Sequence, residues 1–71
     1  MSKPETLNEL TGREREIALL VSEGLSNKAV ANRLGIAEGT VKTHLRSVMR
    51  KTRTRNRTML AAILLFAISS L

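Results

Sequence analysis

Residues 40 to 51 read TVKTHLRSVMRK, with apolar residues recurring every three or four positions and cations set between them. At about 100° per residue, an α-helix brings Val41, Leu45 and Val48 within roughly 60° of one another, with Met49 beside them. With Val41 at zero, Lys42, Arg46, Arg50 and Thr43 fall at roughly 100°, 140°, 180° and 200°. One face is made to be buried and the other to meet something negative. The pattern predicts a helix from about Glu38 to Thr52.

Working back toward the N-terminus, Ser26 can cap a second helix, with Val30, Ala31 and Leu34 inward and Asn27, Lys28, Asn32 and Arg33 outward. It is joined to the first stretch by only Gly35-Ile36-Ala37, the spacing of a helix-turn-helix. Ala31 is small where two such helices cross closely. Gly35 can take φ > 0 in the turn, and Leu34, Ile36 and Val41 can seal the corner. In such a pair the second helix lies in the DNA major groove, which accounts for the outward cations of TVKTHLRSVMRK. A small helical bundle with this spacing by coincidence is the bland alternative.

Further out, Thr11-Gly-Arg-Glu14 has the form of a capping box: the Thr11 hydroxyl takes an orphan backbone N–H and Glu14 reaches back to the cap. The helix it starts buries Ile17, Leu20 and Val21 and stops at Gly24 in the left-handed conformation. On the other side, Asn56 can cap a fourth helix from Arg57 to about Ser69. The expected fold is all-α, four helices with a central helix-turn-helix, over residues 10–71. Residues 1–9, polar and interrupted by Pro4, read as a flexible arm.

Charge placement points to the same class of partner. Residues 1–38 hold five Lys/Arg against six acids, whereas residues 39–71 hold seven Lys/Arg and no acid. All seven lie between Lys42 and Arg57. A block this local reads as a footprint for a polyanion, nucleic acid or an anionic membrane surface; a solvated basic face without a partner is the plainer reading.

Composition excludes much else. A chain of 71 residues is one domain at most, with no room for a large catalytic cleft. It has no cysteine, which removes disulfides, Cys-based zinc sites and thiol nucleophiles. With one phenylalanine and no tryptophan or tyrosine, stacking platforms for single strands are not expected. His44 lacks metal-ligating company, so a packing or phosphate role fits it better than ligation or catalysis. Glu14 and Glu16 are explained by capping and by pairing with nearby arginines. No nucleophile and base are arranged together. No enzyme activity, cofactor, metal or small-molecule ligand is expected in this domain. MSKPETLNEL has no apolar core of a secretory signal, and a cytoplasmic setting is expected.

The run MLAAILLFAI, residues 59–68, is left unexplained by the helix-turn-helix. As a helix it would be about 20 Å long, short of the roughly 30 Å hydrocarbon core, so no membrane span is expected. Leu60, Leu64, Ala67 and Ile68 share one side and can cover the core. Met59, Ala62, Ile63 and Phe66 share another, which needs a partner. A symmetric dimer through the fourth helix would bury them. The rival reading is a basic amphipathic membrane-surface or protein-interaction module, although its cations and its apolar run would lie on separate helices.

LTGREREIALLVSEGLSNKAVANRLGIAEGTVKTHLRSVMRK, residues 10–51, resembles the LuxR-type (GerE/FixJ-type) DNA-binding domain. That family runs LT-x-RE-x-E, then G-x-SNK-x-IA-x-x-L, then TVK-x-H, then an R-x-x-A-like fourth helix, and the likeness extends over residues 10–62. It implies a four-helix domain that binds double-stranded promoter DNA, usually as a homodimer, at the C-terminal end of a bacterial transcription regulator. By position, it implies that Lys42, Thr43 and Arg46 face bases while Asn27, Lys28, Thr40, Arg50 and Lys51 hold phosphates. The chain departs from the pattern at several places. Ala37 stands where a Ser or Thr cap is common, so the start of the third helix is expected to be less firmly fixed. Ala29 occupies a common Glu position, and Met59 and Leu60 stand where Glu and Ala are usual. Thr52 and Thr54 replace Leu and Val, so the turn into the fourth helix is expected to pack less well.

Overall fold

A computed structural model describes residues 8–69 of the chain. It holds α1 (Gly12–Ser22), α2 (Asn27–Leu34), α3 (Glu38–Thr52) and α4 (Arg57–Ser69), the expected all-α arrangement. Residues 1–7 of the expected arm lie outside the described residues. Asn8 and Glu9, read as part of that arm, form a helical turn that leads into buried Leu10.

The starts of α1, α2 and α4 are set by side chains that satisfy orphan backbone donors. The Thr11 hydroxyl accepts from the Glu14 N–H at 3.1 Å and Glu14 Oε1 accepts from the Thr11 N–H at 2.9 Å, a complete capping box. Ser26 Oγ accepts from the Ala29 N–H, and Asn56 Oδ1 from the Met59 N–H. Ala37, at the start of α3, offers no side-chain cap. Its backbone carbonyl alone serves the Thr40 and Val41 N–H groups.

Three helix ends share one closure, in which a residue in the left-handed region lets the next N–H reach back to a carbonyl five residues earlier. Leu25 donates to the Leu20 carbonyl, Ile36 to Ala31 and Thr54 to Met49. Gly24 and Gly35 supply the positive φ at the first two ends, at 96° and 69°. Arg53 supplies it at the third, at φ 58°, where a Cβ crowds the backbone at a cost of about 1 kcal/mol.

The core is one cluster: Leu10, Ile17, Ala18, Val21, Val30, Ala31, Val41, Leu45, Val48, Leu60 and Leu64. Helix α1 packs against α3, α4 and α2, and α2 packs against α3, so the helix-turn-helix leans on α1 while α4 closes the other side. The expected stripe of α3 is buried. In α1, Ala18 is buried and Leu20 only packs at the edge of the cluster; α1 packs against three helices, so its covered surface is wider than the expected stripe. Leu25, Leu34, Ile36 and Met49 line the same edge.

The expected weakness at Thr52 and Thr54 is not found. Both are buried. Thr52 Oγ1 donates to the Val48 carbonyl at 2.9 Å and lies 3.0 Å from Thr54 Oγ1. With the Thr52 proton directed to Val48, Thr54 is the donor between the two hydroxyls. Among the described residues no buried side-chain N or O lacks a partner, so the polar pair takes the place of an apolar one without an unmet hydrogen bond.

Candidate nucleic-acid interface

The outer face of α3 is built by exclusion: with Val41, Leu45 and Val48 in the core, Lys42, Thr43, Arg46 and Arg50 stand exposed. Among the described residues, Lys42 and Arg46 have no ion-pair partner. They lie one turn apart, and both side chains are exposed to solvent. Thr43 Oγ1 donates to the Gly39 carbonyl at 3.1 Å, leaving its methyl as the group this exposed side chain presents. Thr40 and Lys28 are exposed at the starts of α3 and α2, and His44 is half-buried.

The last turns of α3 differ. Glu14, buried on α1, receives Lys51 Nζ at 2.8 Å on Oε1 and the Ser47 hydroxyl at 2.7 Å on Oε2. Hydrogen bonding from Lys51, then from the Thr11 N–H and Ser47, holds its carboxyl down to about 2, well below the ordinary 4.5, against the opposing effect of burial. Lys51 also donates to the Glu9 carbonyl at 3.2 Å. Arg50 Nη2 donates to Ser47 Oγ at 3.2 Å, so Ser47 links the buried carboxylate to an exposed guanidinium.

This corrects the expected pairing of Glu14 with arginine. Its partner is Lys51, because α1 crosses the C-terminal half of α3 there. Arg57 instead reaches the start of α2, donating to Asn27 Oδ1 at 2.6 Å and to the Leu25 carbonyl at 2.7 Å. Glu16 pairs with Arg13 at 3.7 Å on the surface of α1, an exposed contact of small energetic weight. Sequence reasoning did not find Ser47 or the reach of Arg57; both depend on contacts across some thirty residues of chain, for which no local signal exists.

On α4, Leu60, Leu64 and Ala67 are buried as expected, while the Ile68 side chain lies outside what is described. Met59, Ala62 and Phe66 are exposed, Phe66 to 66 % of its area, and Ile63 is half-buried. Leu65 and Leu19, neither anticipated, are exposed as well. Among the described residues no helix is long and apolar enough to cross a membrane.

A helix-turn-helix whose outer face carries exposed cations is compatible in shape and charge with double-stranded DNA. The family model for the luxR family of bacterial regulatory proteins matches residues 8–64, most of the chain. The chain belongs to the luxR family. Among its relatives, the monoamine regulon transcriptional regulator of Klebsiella aerogenes is 53% identical over 53 residues, covering 75% of this chain and 23% of the relative. The nitrate/nitrite response regulator NarL of Escherichia coli K12 is 45% identical over 51 residues, covering 72% and 24%. The regulatory protein LnrK of Bacillus subtilis is 43% identical over 61 residues, covering 86% and 28%. This luxR-family chain thus spans about a quarter of the length of the curated relatives it matches. It is a helix-turn-helix domain of the DNA-binding transcription-regulator type, and its family and these relatives are bacterial regulators.

Proposed function

We propose that this domain binds a specific double-stranded DNA sequence for a bacterial transcription regulator, with α3 in the major groove. The observation that carries the proposal is the exposure of Lys42 and Arg46, unpaired among the described residues, opposite the buried stripe Val41, Leu45 and Val48. Both side chains are long enough to reach guanine O6 and N7, and the Thr43 methyl suits contact with a thymine methyl. Asn27, Lys28, Thr40 and Arg50 are taken as phosphate contacts, which fix register without reading sequence. Lys51 takes part in a reduced way. An ammonium has three donors; one is on Glu14 and one on Glu9, which leaves one for a phosphate.

Two copies associate through the outer side of α4, burying Met59, Ala62, Ile63 and Phe66 against their own counterparts. The exposure of Phe66 and Met59 beside a buried Leu60 and Leu64 supports this, since an apolar side of this extent is stabilised by a cover. Half-sites would then lie about 10 bp apart, centre to centre.

Titration of single and paired half-sites, with sedimentation at rising protein concentration, tests both parts. Ile63→Ser with Phe66→Ser is expected to leave helicity and single-site affinity unchanged and to abolish cooperative binding to the pair. A wild-type chain that binds paired sites without cooperativity and stays monomeric sinks the dimer. Binding to anionic vesicles in flotation, with no preference for any duplex, sinks the DNA reading.

A further inference from the structure

Arg57 opens α4, yet its guanidinium leaves that helix and grips the start of α2. Nη1 donates to Asn27 Oδ1 at 2.6 Å and Nη2 donates to the Leu25 carbonyl at 2.7 Å. A guanidinium carries donors and no acceptor. The end of the Asn27 amide that faces it must therefore be the carbonyl oxygen. The NH2 end is then the one not engaged by Arg57.

We propose that Arg57 is a positioning residue that makes Asn27 a one-way donor toward the DNA backbone. The proposal rests on the phosphate contact assigned to Asn27 above. An unheld asparagine amide turns either end outward, and its oxygen end would meet a phosphate oxygen with repulsion. By holding that oxygen, Arg57 removes the unproductive orientation before DNA arrives, so less conformational freedom is lost on binding. The second bond matters as much as the first. The Leu25 carbonyl belongs to the connection between α1 and α2, so the guanidinium is fixed at both ends, and the half-buried Arg57 is directed inward while Lys42 and Arg46 on α3 face out. The basic block of the sequence thus includes a cation that acts on DNA through another residue.

The test compares Asn27→Ala, Asn27→Asp, Arg57→Gln and the double variant Asn27→Ala with Arg57→Gln in the full chain, titrated on paired half-sites across a salt series and melted by circular dichroism. Asn27→Ala is expected to weaken binding roughly tenfold, the scale of one hydrogen bond to a charged group. Glutamine can accept as well as donate, so Arg57→Gln lets the Asn27 amide turn and should weaken binding to a similar extent. In that background Asn27→Ala should add no further loss. Asn27→Asp keeps an acceptor on Arg57 but presents oxygen outward; it is expected to melt no lower than wild type and to bind at least as weakly as Asn27→Ala. Independent, multiplying losses for Asn27→Ala and Arg57→Gln overturn the positioning role and leave the phosphate contact standing. Asn27→Asp bound as tightly as wild type overturns it as well, even if Arg57→Gln fails to fold. Asn27→Ala without any effect removes the phosphate contact itself, and the inference with it.

Discussion

Lys42 and Lys51 are the same residue type on the same helix, and they stand in different electrostatic worlds. Lys42 is exposed, with no ion-pair partner among the described residues. Lys51 is largely covered, with its ammonium on the Glu14 carboxylate and the Glu9 carbonyl. The difference arises from what crosses each half of α3. The first half turns its cations to solvent, whereas α1 packs on the second half and brings a buried acid with it. A cation near a polyanion is useful in proportion to its availability, and a count of positive residues does not measure that. On the proposed function, the first half of α3 holds the base-reading cations, whereas Lys51 in the second half serves mainly as an anchor to Glu14, and each role can be broken without the other.

The largest expected effect falls on the anchor. Glu14→Ala removes the acceptor of Lys51, Ser47 and the Thr11 N–H together, and a charge left partly buried without its partner points to a loss of about 3 kcal/mol. Urea denaturation measures it; a loss below about 0.5 kcal/mol, the range of ordinary surface substitutions, would reduce the anchor to a surface contact. The pH dependence follows from the lowered carboxyl. Folding depresses Glu14 from 4.5 to about 2, so its contribution is complete above the unfolded value and is lost as pH falls through the interval between them. Glu14→Gln should flatten that part of the acid-unfolding curve.

Next in size is the affinity contrast between the two halves. Lys42→Ala and Arg46→Ala should each cost about 1–3 kcal/mol at a cognate base pair and leave the melting temperature close to wild type. Lys51→Ala should do the reverse, lowering the melting temperature while changing the salt slope by less than the roughly 0.9 per phosphate of an unencumbered cation. Equal losses on specific and scrambled duplexes for both Lys42→Ala and Arg46→Ala would place those residues on phosphates and dissolve the contrast.

The smallest effect sharpens the interface end of the comparison. Helix α3 begins at Ala37 without a side-chain cap, so Ala37→Ser should add about 1 kcal/mol of stability. Hydrogen exchange at the first turn of α3 would show slower opening. No gain would mean that packing of Val41 already holds the turn as firmly as a cap could.

Much of the fold was legible because its determinants are local. The capping box of Thr11 and Glu14, the Ser26 and Asn56 caps, and the stops at Gly24 and Gly35 act over a few residues of backbone, and periodicity named the buried faces of α3 and α4. The same arithmetic placed Lys42, Thr43, Arg46 and Arg50 on one outer face. The third helix end was hidden, since Arg53 takes a left-handed conformation that no glycine advertises. The partners of the charged groups were settled by tertiary structure. Whether Glu14 meets Lys51 or Arg57, whether Asn27 is held by Arg57, and whether Thr52 and Thr54 pair or stay unsatisfied depend on how the helices cross and how the turns close. Periodicity fixes the face a side chain occupies, but a hydrogen bond needs its partner within about 3 Å, and only the packed helices bring residues thirty or more positions apart to that distance.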